Sequence, residues 1–185
     1  MNLNKHKKGK RVLNALVWLG SLCILIAGLK YINENIFTVA IVNGESMYPS
    51  ICDGDILVVD CRQKMPVGGD VILISVSPNE LGGDYLVKRV IATGGETITI
   101  DYDKNEVYVN GELLSEPYIN LNLDDPMWAI EGKSMVEYRI PQDYVFVMGD
   151  NRNFSSDSRN PTLGAVEKNK IIGTVVSRSV LNINI

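Results

Sequence analysis

From Val12 to Leu29 the chain runs 18 residues with only Asn14, Gly20, Ser21 and Gly28 interrupting the apolar sequence. A run of that length is at the short end of what spans a bilayer as a helix. Lys30 and Tyr31 follow it, placed to snorkel or anchor at the far interface. Beyond them the pattern changes to short β-branched groups separated by Gly, Asp, Asn and Pro, the punctuation of strands. These groups predict strands at Phe37–Val42, Ile56–Val59, Val71–Val76, Tyr85–Ala92, Thr97–Ile100, Glu106–Val109, Glu112–Leu114, Val136–Ile140, Tyr144–Met148 and Ile171–Val176. Asn110-Gly111, between Val107-Tyr108-Val109 and Leu113-Leu114, is a type I′ hairpin signal. Val166–Lys170 fits one short helical turn, and Ser115–Lys133, with Pro117 and Pro126, reads as a long connection. The pattern is that of a mainly-β domain on one helical tether.

Charge divides the chain in the same places. Residues 1–11 carry Lys5, Lys7, Lys8, Lys10 and Arg11 and no acid, whereas all 22 acidic residues lie beyond residue 30. A cleavable secretory signal also has a basic start, but its apolar core is shorter and a small-x-small site follows it. Here Lys30-Tyr31-Ile32-Asn33-Glu34 follows, so the reading is an uncleaved anchor. The expected organisation is a basic cytoplasmic tail at 1–11, a transmembrane anchor at 12–29 and an extracytoplasmic domain at 30–185. The positive-inside rule sets that orientation at the cell membrane. Near-neutral mean hydropathy excludes a multi-span protein, and a net charge of −4 argues against a nucleic-acid partner.

Cys23 lies in the apolar run. Cys52 and Cys61 lie beyond it, where they could pair in oxidising surroundings, although two buried thiols beside a strand are the preferred reading. Neither Cys52 nor Cys61 has histidine or cysteine partners at metal-ligand spacing, so a zinc site is not expected. The single histidine, His6, is in the basic tail. A Ser-His-Asp triad beyond the membrane is thereby excluded, and an exterior nucleophile needs another base, for which lysine is the candidate.

Three segments concentrate polar residues. Asn43-Gly44-Glu45-Ser46-Met47-Tyr48-Pro49-Ser50 follows a strand, and a serine at such a junction can expose its hydroxyl. Taken alone, the segment reads equally as loop punctuation. In Tyr85-Leu86-Val87-Lys88-Arg89-Val90-Ile91, alternation sets Lys88 with Leu86 and Val90, and Arg89 with Val87 and Ile91. Either way a cation sits among aliphatics. The ordinary reading is a lysine guarding an edge strand. The functional one is a desolvated lysine whose pKa falls from about 10.4 toward neutrality, given an acid for Arg89. Gly149-Asp150-Asn151-Arg152-Asn153-Phe154-Ser155-Ser156-Asp157-Ser158-Arg159 follows another strand, and its alternating acids and arginines suggest internal ion pairs that stiffen it.

Together these segments resemble the type I signal peptidases, membrane-anchored Ser-Lys proteases. Ser46–Ser50 is similar to that family's Ser-Met-x-Pro-Thr motif, with Ser50 for the threonine. Gly54-Asp55-Ile56-Leu57-Val58-Val59, Lys88-Arg89-Val90-Ile91 and Gly149–Arg159 resemble its next three motifs in order. The resemblance covers the anchor and almost all of the remaining chain. It implies a signal-peptidase-like β-fold of several short antiparallel sheets, with Ser46 as nucleophile and Lys88 as general base. Ser155 would orient the lysine, and Asp150–Arg89 and Asp157–Arg159 would be structural ion pairs. The oxyanion hole would be the Ser46 backbone amide, since Gly44 stands where many members have a serine hydroxyl. No cofactor is implied.

The implied activity is removal of N-terminal signal peptides from exported preproteins after small-x-small residues. Implied partners are those signal peptides and the lipid bilayer, with the secretion translocon a candidate. Two departures bear on loop geometry: Ala92-Thr93-Gly94-Gly95-Glu96 replaces the usual Gly-x-Pro-Gly-Asp, and Asn160-Pro161-Thr162-Leu163-Gly164 is a longer path to glycine. The alternatives fit less well. A self-cleaving repressor would carry a DNA-binding domain. A degenerate relative serving pilus or surface-protein assembly would normally lack the serine or the lysine, whereas a dedicated assembly peptidase would keep both. An adhesion domain leaves the three polar segments unexplained.

Overall fold

The computed structural model describes residues 3–76, 85–119, 127 and 133–179, with side chains of the first helix given at 10, 13, 14 and 16–31. That helix, α1 (Leu3–Asn35), extends past both ends of the apolar run. Leu13, Leu16, Val17, Trp18, Leu22 and Ile24 on it are exposed. Among the described residues no helix is long and apolar enough to cross a membrane. The expected span at 12–29 is therefore a helix whose crossing the described part does not establish.

The rest is mainly β, with eleven strands: β1 (Phe37–Ile41), β2 (Ile56–Asp60), β3 (Val71–Ser75), β4 (Tyr85–Thr93), β5 (Thr97–Asp101), β6 (Glu106–Val109), β7 (Glu112–Leu113), β8 (Met135–Arg139), β9 (Tyr144–Met148), β10 (Val166–Glu167) and β11 (Ile171–Ser179). Each expected strand is present within a few residues. The exception is the expected turn at Val166–Lys170, which divides into strand β10 and a 3₁₀ turn at Lys168–Lys170. Asn110 and Gly111 both adopt positive φ, 54° and 83°, the conformation a type I′ hairpin requires. Residues 120–126 and 128–132 of the expected long connection lie outside the described residues.

Seven strands form one sheet in the order β1-β2-β11-β3-β4-β9-β10, and four form a second, β7-β6-β5-β8. The pairings within both are antiparallel. β9 shows why a continuous apolar run is needed at the centre. Val145 and Val147 enter a cluster with Ile72, Ile74, Val90 and Ile171, while Phe146 and Met148 enter another with Ile98, Ile100 and Ile140. Both faces of the strand are buried, so strict apolar–polar alternation would be unfavourable there. A third, smaller cluster of Met47, Ile51 and Leu57 sits under the β1–β2 connection. Cys52 and Cys61 are free thiols, Cys61 buried and Cys52 half-buried.

Candidate active site

The turn joining β1 to β2 carries Ser46. Val42 and Asp55 close its base, with the Val42 N–H donating to Asp55 O at 2.9 Å. Gly44 takes φ +102°, a left-handed backbone, and its N–H donates to Asp53 Oδ1 at 2.7 Å. The Asp55 carboxylate, itself buried, accepts the Cys52 N–H at 2.7 Å and pairs with Arg178 of β11 at 2.6 Å. Arg178 also donates to Ser50 O. The turn is thus fixed from within and from the last strand.

Lys88 lies in β4 and is 2% exposed. Its Nζ stands 2.6 Å from Ser46 Oγ. Burial pulls its pKa down to about 8, against an attraction from Asp157 that raises it, a repulsion from Arg159 that lowers it and a further attraction from Asp150. A lysine with that pKa is about one-tenth neutral at pH 7 and can accept a proton. Lys88 and Ser46 also line one groove of about 610 Å³, with Thr38–Asn43 on one wall and Tyr85–Val87 on the other. Among the described residues both walls have an unpaired backbone edge: β1 has only β2 beside it, and β4 pairs with β9 only from Arg89 onward.

Arg89 is bidentate to Asp150, Nε to Oδ1 at 2.8 Å and Nη2 to Oδ2 at 2.7 Å, and donates to Gly69 O at 2.8 Å. Burial lowers its pKa, but the hydrogen bond and charge of Asp150 outweigh that and raise it. Asp150 is fully buried and also accepts from Ser50 Oγ. Asp157 and Arg159 form a second buried bidentate pair, Nε and Nη2 each at 2.8 Å. Burial pushes the Asp157 carboxyl up, yet the Arg159 hydrogen bond and charge, with the Gly149 N–H at 3.0 Å, hold it below the ordinary value.

The loop after β9 grips the Ser46 turn directly. The Asn151 N–H donates to Ser46 O at 3.1 Å and its Nδ2 to Glu45 O at 3.0 Å. A Cβ on Gly149 would collide with Ser46 O and Ser155 Oγ, so only glycine allows the two segments to meet. The Ser155 hydroxyl is buried and makes no hydrogen bond of acceptable geometry; its influence falls on Asp157. One strong pair escaped the sequence reading. Arg152, 1% exposed, pairs with Glu116 and donates from Nε to Gly149 O at 3.1 Å. Its position in a loop of alternating charges signalled an ion pair, but nothing local named Glu116. Among the described residues no group of His, Cys, Asp and Glu could hold a metal ion.

The arrangement sets a serine hydroxyl beside a buried amine, open on one side to an extended groove. Comparison with known proteins defines the class. Residues 14–180 match the family described as signal peptidase, peptidase S26. The chain is 32% identical to signal peptidase I T of Bacillus subtilis, covering 94% of this chain and 90% of that one. It is 31% identical to signal peptidase IB of Staphylococcus aureus, covering 88% of each. The crystal structure of a signal peptidase I from Enterococcus faecalis aligns at TM-score 0.47 and 26% identity, over 62% of this chain and 99% of that one. The chain belongs to the signal peptidase family, in its type I, Gram-positive-like form, and is a serine endopeptidase.

Proposed function

We propose that this chain is a membrane-anchored endopeptidase that removes N-terminal signal peptides from exported preproteins after small-x-small residues, with Ser46 as nucleophile and Lys88 as general base. The observation that carries it is the 2.6 Å contact between Lys88 Nζ and Ser46 Oγ in a site where the amine is buried. In this reading neutral Lys88 takes the Ser46 proton as Oγ attacks the scissile carbonyl carbon. The resulting oxyanion is held by the Ser46 N–H. Lys88 returns the proton to the leaving amine, and the C–N bond breaks. Water, deprotonated by the same amine, then hydrolyses the acyl-enzyme. Ser155, whose buried hydroxyl has no hydrogen-bond partner in the resting site, serves in this reading to orient the amine.

The groove supports a strand-like substrate. Its two free backbone edges can pair with an extended peptide, leaving alternate side chains in shallow apolar hollows. Residues 12–29 anchor the chain, 1–11 stay in the cytoplasm by virtue of their five cations, and 30–185 work outside. The bilayer and the signal peptide are therefore the partners, with the translocon beside them.

Cleavage of a labelled preprotein by the full chain in membranes tests this. Wild type cleaves at the small-x-small site, while Ser46→Ala and Lys88→Ala, both folded by near-UV circular dichroism, do not. Near-full activity in Lys88→Ala would place the base elsewhere.

A further inference from the structure

Resting on the Ser46–Lys88 reading, we propose that Glu116 and Tyr118 are positioning residues of the reaction, in a clasp at 116–119 that holds the nucleophile turn, the base strand and the polar loop in register from outside. The clasp touches all three. Ile119 forms an antiparallel bridge to Pro49, and Tyr118 O lies 3.5 Å from Ser50 Oγ, both on the turn that carries Ser46. The guanidinium of Arg89, next to Lys88, lies 4.0 Å from the centre of the Tyr118 ring, a cation–π contact made more favourable by burial. Glu116 pairs with Arg152 of the loop and accepts the Tyr118 hydroxyl at 3.0 Å.

A route from Glu116 to the reacting atoms follows from these contacts. Glu116 fixes the Arg152 fork, and Arg152 Nε holds Gly149 O at 3.1 Å. Gly149 is packed against Ser46 O and Ser155 Oγ with no room for a methyl group. Loss of the carboxylate frees a buried guanidinium beside that contact, and displacement there moves Ser46 relative to Lys88. Glu116, Tyr118 and Ile119 do not line the groove, so substrate affinity is not their province.

The test is the kinetics of the full chain in detergent micelles on a preprotein, for Glu116→Ala, Glu116→Gln and the double variant Glu116→Ala/Arg152→Met. Glu116→Ala lowers kcat about 10²-fold, the cost of a misplacement of about 1 Å, with KM within about twofold. The groups facing Lys88 are Ser46, Asp150, Asp157 and Arg159, and all remain, so a loosened site lets water to the amine and moves the kcat profile to higher pH. Glu116→Gln keeps one acceptor oxygen, enough for Arg152 Nη2 and the Tyr118 hydroxyl, and restores part of the rate. The double variant removes both buried charges, melts like wild type and still turns over slowly. Recovery of wild-type kcat by the folded double variant would overturn the proposal. So would a Glu116→Ala loss that merely tracks the unfolded fraction with an unmoved pH profile. Failure of the dyad reading shows separately, as activity retained by Lys88→Ala, and leaves the kcat-against-KM comparison standing.

Discussion

Replacing Lys88 by methionine exchanges a buried amine for an apolar chain of similar length. An amine whose pKa falls from its ordinary 10.5 to about 8 costs the folded chain about 3 kcal/mol while protonated, at about 1.4 kcal/mol per pKa unit. The hydrogen bond to Ser46 lost with it contributes about 1 kcal/mol. Lys88→Met therefore gains about 2 kcal/mol at pH 6, which for a chain of this size raises Tm by about 4–8 °C. The folded pKa lies below the unfolded one, so the folded chain binds fewer protons between about pH 8 and 10.5. Wild-type stability accordingly rises with pH across that interval. The advantage of the variant is full below pH 8 and shrinks by about 1.4 kcal/mol by pH 9. The measurement is thermal melting of both full chains in detergent micelles, followed by near-UV circular dichroism at pH 6 and 9, beside a preprotein cleavage assay. A variant that is inactive and more stable at pH 6, with a gap that narrows on raising pH, is the expected result. A variant no more stable than wild type at pH 6, or a gap that widens with pH, would refute the assignment of Lys88 as a desolvated amine.

With Lys88 as the proposed base, the wild-type kcat rises with pH and reaches half its plateau near pH 8, where the amine becomes neutral; a profile flat from pH 6 to 10 would contradict this. Gly44→Ser does not supply an oxyanion donor but lowers activity and stability, because φ +102° strains any L side chain by about 1–3 kcal/mol; urea unfolding and cleavage rates measure both. Gly149→Ala drives a methyl group into Ser46 O and Ser155 Oγ and abolishes cleavage, with about 1–3 kcal/mol of destabilisation from overpacking. Asp150→Ala leaves Arg89 without its bidentate partner and destabilises by about 3–5 kcal/mol, seen as a lower urea midpoint with unchanged slope.

Strands were legible because their signals are local. Tyr144–Met148 and Glu106–Val109 end where turn residues begin, and Asn110-Gly111 supplies the two positive-φ positions a tight hairpin needs. β10 escaped because two residues make no periodicity. The order of strands was not legible, since the pairing of Thr174 with Asp60 and with Ile72 joins segments far apart in sequence. The site divides in the same way. Asp157 and Arg159 lie two residues apart in a loop whose alternating charges signal internal pairs, whereas Glu116 and Arg152 are 36 apart with two strands between them. The free edges of β1 and β4 that form the groove depend on which strands fail to be neighbours, and no single segment carries that information.

The place of β11 has a consequence for the order in which the protein comes into being. Ser46 is borne by the β1–β2 hairpin and Lys88 by β4, and in the sheet β11 lies between β2 and β3. A ribosome delivers both residues well before residues 171–179, the strand that joins the two halves. A growing chain can hold a complete hairpin with its serine and a complete β3–β4 pair with its lysine, yet lack the member that brings them side by side. Until residues 171–179 have emerged, the sheet lacks the strand that stands between the hairpin bearing Ser46 and the pair bearing Lys88.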